Sequence, residues 1–247
     1  MNRLGWLCDG RARTIVPDGW QLPPPDLLVE AERKALQAMR TDGPYPAPDR
    51  LARFYDADGD YAGASFAQLG PVDPMDITPT DLLATTPLSV RIRPGAARRM
   101  LHSGRTRDNL LRKLSDIPDC DLANAGIRAL TAMEQLYEAV KQALSADTVK
   151  NPNAWVTASK LCARKRPDLF PVRDKEVCDY LGLTQLQNYQ VEWQVFRYLM
   201  GDRDIVAAID MMGKAVTAVA DGRRLQADHS RLRLLDAAIW TYVMSLR

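Results

Sequence analysis

Apolar residues recur along most of this chain at three- and four-residue spacing, and nowhere do they alternate with polar ones over a sustained stretch. That periodicity predicts helices and argues against a sizeable sheet. Leu28, Ala31, Ala35 and Met39 mark a first helix, from a cap at Asp26 to about Arg40. A short helix follows from Asp49 to Tyr55. The stretch TPTDLLATTPLSV reads as another, with Thr78 or Thr80 as cap, Leu82, Leu83 and Leu88 facing inward, and a kink or stop at Pro87. Pro94 opens a helix through Arg98, Arg99 and His102 to a stop at Gly104, and Asp108 to Leu114 makes one more. Leu122 to Leu144 carries Leu130, Met133, Leu136, Tyr137 and Val140 on its buried side. Further on, Asn188 begins a helix with Val191, Val195 and Leu199. Asp202 or Asp204 caps one bearing Ile205, Ile209, Met212, Val216 and Val219, with Gly222 as its end. The last runs from about Gln226, with Leu232, Leu235, Ile239, Tyr242 and Leu246 on one stripe. The expectation is an all-α fold of about ten helices. An irregular arm, 1–25, precedes a single helical domain, 26–247, with a two-lobed split near 121–150 as an alternative.

The densest local signal is NPNAWVTASKLCARKRPDLFPVRDKEVCDYLG, Asn151 to Gly182. Asn153 is placed to cap a helix on which Trp155, Ala158 and Cys162 share a face. Pro167 must end that helix, because the residue before a proline is pushed out of the helical region. Pro171 keeps 168–173 extended. Asp174 then stands at the N-cap of a second helix, and Gly182 where it should stop.

Composition adds limits. With 46% hydrophobic and 26% charged residues the chain is ordinary for a globular protein, and no apolar run approaches the ~18 residues of a membrane helix. The opening residues lack the apolar core of a signal peptide. Cys8, Cys120, Cys162 and Cys178 lie far apart, which suits reduced thiols in a cytoplasmic protein. Cys162 and Cys178 share helical faces with apolar neighbours and are expected to be buried.

The net charge of +2 hides an uneven distribution. Residues 91–113 hold eight basic residues against Asp108, and residues 160–175 hold six against Asp168 and Asp174. If both segments share a face, Arg98, Arg99, Arg105, Arg107, Arg164, Lys165, Arg166 and Arg173 make a positive patch on an acidic body. Such a patch suits DNA or RNA, or an anionic small molecule. The alternative is that these side chains merely coat exposed helices.

Several chemistries are disfavoured. There is no GxGxxG or GxxxxGKS loop, no HExxH and no GxSxG elbow, and only His102 and His229 are present. DADGDYAGASF, Asp56 to Phe66, has alternating aspartates, but Tyr61 and Ala67 stand where a calcium loop needs its glycine and its glutamate. It reads as an acidic turn anchored by Tyr61 and Phe66. Neither a metal nor a cofactor is implied. What remains is Lys160 and Asp174, with Trp155 and Tyr180 beside them: a buried lysine can serve as a nucleophile, and a carboxylate can stabilise a sugar cation or position water. The plainer roles are a salt-bridging lysine and a helix cap. Trp155, Tyr180 and Trp193 could also line a cleft for an anionic substrate held by Arg164, Arg166 and Arg173.

Read together, TPTDLLATTPLSV (78–90), ASKLCARKRPDLFPVRD (158–174) and SRLRLLDAAIW (230–240) resemble a bacterial family of unknown function, over the chain from about Leu51 onward. More distantly, the middle segment is similar to the catalytic region of helix-hairpin-helix DNA glycosylases, where a lysine-bearing helix is followed by a Pro-Val-Asp turn. Lys160 and the Pro171-Val172-Arg173-Asp174 turn occupy similar places, although the Leu-Pro-Gly-x-Gly hairpin is missing and an extra residue precedes Asp174. The resemblance implies a nucleic-acid-engaging, glycosylase-like protein with Asp174 stabilising a sugar cation and Lys160 as nucleophile. A small-molecule enzyme and a non-catalytic interaction module are the rival expectations.

Overall fold

The computed structural model describes residues 4–5, 14–145 and 154–247. Among them are twelve α helices and one two-stranded antiparallel ribbon, β1 (Leu4–Gly5) with β2 (Thr14–Ile15). The fold is all-α, as the helical periodicity requires.

The helices sort by packing into two groups. The first holds α1 (Pro25–Ala38), α2 (Ala47–Phe54) and α3 (Ala62–Gln68), with α9 (Lys175–Leu181), α10 (Tyr189–Gly201), α11 (Arg203–Ala218) and α12 (Arg231–Ser245). Here α12 packs on α2, α9, α1 and α11. The second holds α4 (Pro79–Thr85), α5 (Pro94–Leu101), α6 (Arg105–Ser115), α7 (Ile127–Leu144) and α8 (Trp155–Lys165), with α7 against α6 and α8, and α8 against α4. The chain passes between the groups at 69–78 and again at 166–174. One apolar core runs through both, from Trp20 and Leu28 to Met133, Phe170 and Leu235.

Local chemistry sets the boundaries. The first helix starts at Pro25, with Pro24 as its N-cap, so Asp26 sits inside the first turn and is not the cap. Proline suits this position because its missing N–H would be unsatisfied there anyway. Thr78 caps α4 in a reciprocal capping box with Asp81. Leu82 faces inward as expected, but Leu83 is 58% exposed. The acidic turn gives way to α3, a helix the aspartates conceal. Tyr61 is half exposed there and Phe66 is buried. At the other side of that turn, Ala57 N–H donates to Arg224 O (2.9 Å) and Gln226 N–H to Tyr55 O (2.9 Å), tying the end of α2 to the segment before α12. Residues 122–126 form turns, so α7 begins later than Leu122. Asp202 caps α11 and Ser230 caps α12. The expected Asn153 cap and Cys8 lie outside the described residues.

Candidate functional site

Lys160 and Asp174 meet because of how the crossing segment is pinned. Ser159 Oγ donates to Pro171 O (2.9 Å) and accepts from Arg173 N–H (2.8 Å), so the turn lies flat on α8. Asp174 Oδ1 accepts from Glu176 N–H (3.0 Å), capping α9, and Gly182 ends that helix in a left-handed conformation at φ +80°. The cap turns the other oxygen, Oδ2, toward Lys160 Nζ at 3.6 Å. Lys160 is 3% exposed and also donates to Leu88 O at 2.6 Å. Burial lowers its pKa and Asp174 opposes that shift. The capping role and a chemical role for Asp174 are therefore compatible: each uses a different oxygen.

Both side chains line a cavity of about 460 Å³ between the two helix groups. One wall is aromatic. Phe54, Tyr61 and Trp240 form a triangle with ring centroids 5.5 to 6.2 Å apart. Leu88 and Ser89 close one side, and the exposed Lys175 and the Glu176–Arg247 ion pair stand at the rim. The floor is charged and buried. Asp236 Oδ2 accepts from Val172 N–H (2.7 Å), and Arg233 lies over the Phe66 ring, 3.9 Å from its centroid, with Asp228 Oδ2 3.7 Å from its Nε. Burial raises the pKa of Asp236 to about 8, against the lowering influence of Val172 N–H and Arg233.

Most of the basic residues expected at a surface have internal partners. Arg164 is 2% exposed and donates to the carbonyls of Phe66, Ala67 and Leu69, satisfying the end of α3. Lys165 is buried against Asp81 Oδ2 at 2.7 Å. Arg166 donates to Pro74 O and Leu114 O, and Arg99 to Ala143 O and Ser145 O. Arg107 donates to Ile77 O and Met100 O and pairs with Asp76. Arg173 pairs with Glu192 at 2.7 Å and stacks on Trp155, 4.8 Å from its ring centroid. Only Arg98 and Arg105 of the eight arginine and lysine candidates are exposed. The expectation of one continuous patch from all eight therefore needs correcting: buried carbonyls and carboxylates need donors, and these side chains supply them.

The aromatic candidates also separate. Trp155 is taken by Arg173. Tyr180 donates to Lys34 O (3.2 Å) and packs edge-on against Tyr242, and Trp193 is 3% exposed in the core, so none of the three lines the cavity. Of the rings that do, Tyr61 is expected from the sequence only as an anchor of the acidic turn, and Phe54 and Trp240 carry no expectation, nor do Arg233 and Asp236. The available signal was LRLLDAAIW, where two charges interrupt an apolar run; charges placed there must be buried with partners. Cys162 and Cys178 are free and buried, with burial raising both thiol pKa values. Among the described residues no three His, Cys, Asp or Glu side chains gather as a metal would need, and no helix is long and apolar enough to cross a membrane.

Fold and site together define an all-α protein with a half-open pocket that sets an aromatic wall against buried ionisable groups. By sequence the chain belongs to DUF6308, a family of unknown function whose model matches residues 47–243. That match takes in every residue lining the cavity except Met244 and Arg247. No curated protein and no solved structure matches the chain.

Proposed function

We propose that this chain is an enzyme of N-glycosidic chemistry whose cavity seats a planar base against Phe54, Tyr61 and Trp240. The carrying observation is that the Lys160–Asp174 pair and the aromatic triangle line one cavity. At about 460 Å³ it is within the usual range for small-ligand sites. The bond from the anomeric carbon to the base nitrogen breaks, and the base leaves with the electron pair. Asp174 Oδ2 faces the cationic sugar, which water then attacks through its oxygen, the proton that the water sheds passing to the nitrogen of the departed base. Lys160, with its ammonium between Leu88 O and Asp174, orients that carboxylate; its 3% exposure favours positioning over nucleophilic attack. The commitment of Arg99, Arg107, Arg164, Lys165, Arg166 and Arg173 to internal partners supports a free nucleoside-like ligand over a strand tracked by its phosphates.

A nucleic-acid substrate is the second reading. It rests on Arg91 and Arg93, which are exposed and follow within four residues of cavity-lining Ser89.

Base release from a panel of ribo- and deoxyribonucleosides, and from single- and double-stranded DNA carrying uracil, alkylated or oxidised bases, tests both readings. Asp174→Asn should reduce release by about 100-fold or more in a protein that still folds: asparagine caps about as well as aspartate, and the stability lost, about 1–3 kcal/mol, comes from leaving Lys160 without its counter-charge. Full activity in Asp174→Asn would transfer the chemistry to another group. No release from any substrate in the panel by the wild type would end the N-glycosidic reading.

A further inference from the structure

The geometry points to Arg233 and Asp236 as a recognition floor, a pair of hydrogen-bond donors that select a ligand ring bearing an acceptor atom. The two residues are three apart on α12, and so neighbours on one helix face. Both line the cavity, where the carboxylate nearest Arg233 Nε, Asp228 Oδ2, stands 3.7 Å off, beyond hydrogen-bond length. Asp236 Oδ1 and Arg233 Nε are each buried without a hydrogen-bond partner among the described residues. Buried polar atoms of this kind are rare and costly, and two of them on one cavity floor mark a place where a partner belongs.

The donor character follows from the other atoms. Asp236 Oδ2 already accepts from Val172 N–H (2.7 Å). Burial favours the neutral carboxyl, with a pKa of about 8, so at neutral pH a proton is present and Oδ1 is the oxygen left to carry it. Arg233 Nε carries a hydrogen by its chemistry. Its neighbouring Nη2 is used on Ala163 O at 3.3 Å, and its closest carboxylate, Asp228, stands 3.7 Å away. The groups around Asp236 are Arg233 on its own helix, Asp228 before it, Asp174 in the crossing turn, Cys178 on α9 and Tyr55 on α2. Of these Arg233 lowers its pKa, while Asp174 and Asp228 raise it. Lys160 on α8 borders the same space. The ligand class this floor fits is a planar heteroaromatic ring with a ring nitrogen or carbonyl acceptor. The assignment rests on the aromatic wall proposed above but not on bond cleavage.

The probes are 7-azaindole and indole, which share a shape and differ in one acceptor nitrogen, titrated by ligand-observed NMR. At about pH 6.5 the wild type should bind 7-azaindole about tenfold more tightly than indole, the discrimination expected of one hydrogen bond to a buried donor. A raised carboxyl keeps its proton below about 8 and loses it above, so the preference should shrink by about pH 9.5. Asp236→Asn should hold the preference at both pH values, because its amide donates where Oδ1–H did and still accepts from Val172. Asp236→Leu, left with the Arg233 donor alone, should lose most of the preference. Arg233→Lys, which lacks the Nε donor, should narrow the difference. A wild type with no preference, or a preference unchanged in Asp236→Leu, would mean that ordered water fills the floor and would overturn the assignment. Failure of both probes to bind would overturn it together with the aromatic wall. Should Asp236→Leu not fold, a pH-dependent preference in Asp236→Asn would count against it just as directly. An intact preference in a protein that releases no base supports the floor and removes the cleavage reading alone.

Discussion

Asp174 and Asp236 are 62 residues apart, and their environments push them toward different work. Asp174 holds an ammonium and a helix N-terminus, which suit a carboxylate. Asp236 lies where burial favours the acid, with a pKa of about 8. The linkage is definite in sign. A carboxyl whose folded pKa is raised contributes stability that is full below its unfolded value of 3.8 and lost as pH rises through about 8. The stability difference between Asp236→Asn and wild type should therefore move in favour of the variant from about pH 5 to pH 9. Urea denaturation across that range measures it, and a flat difference would show that Asp236 is ionised in the fold. Glu192, raised to about 7 by burial and opposed by Arg173, adds a slope of the same sign that both proteins share. At this scale sequence reading went partway: it placed Asp174 at its cap and beside Lys160, because a proline-bracketed turn fixes local geometry. It passed over Asp236, because a burial-shifted carboxyl is made by neighbours from four other segments.

Between elements, buried charges act as fasteners. Asp81, fully buried, completes the capping box of α4 and meets Lys165 Nζ at 2.7 Å and Arg164 Nε at 3.4 Å, joining α4 to α8. Arg50 does the same elsewhere, donating to Ala38 O, Tyr45 O and Ala238 O, where α1, α2 and α12 meet. Asp81→Asn leaves two buried cations without a counter-charge and should cost about 3–5 kcal/mol in chemical denaturation. A loss below about 1 kcal/mol would mean that water reaches the cluster. Gly63 sits where α3 crosses α2: a Cβ there would stand 2.4 Å from Phe54 O and 2.5 Å from its ring. Gly63→Ala should cost about 1–3 kcal/mol and, by displacing Phe54, weaken 7-azaindole binding as well. Retained affinity with lowered stability would separate the packing role from the wall. The helices themselves were legible, since apolar spacing reports the face that packs. The basic segments were not, because an arginine that caps a carbonyl and one that faces water look alike in sequence.

For the whole molecule, the two helix groups meet over the cavity, and six of the eight basic residues expected to form a patch are committed to internal partners. Any binding to duplex DNA should then depend weakly on salt. A slope of log affinity against log salt no steeper than about −3 is expected, whereas the continuous patch anticipated from sequence would give about −6 to −7. Fluorescence anisotropy with a labelled duplex between low and physiological salt decides between them. The steep slope would restore the nucleic-acid reading over the small-ligand one.

The ladder between Tyr55–Ala57 and Arg224–Gln226 has a kinetic corollary. It joins segments separated by most of the chain, and the cavity beside it needs α2, α8, α9 and α12 to be in place at once. Such closures are entropically expensive and belong to the late, native side of the folding barrier. A molecule bound there therefore grips only the finished protein. It should prolong the life of the native state by slowing unfolding and leave the rate of refolding unchanged.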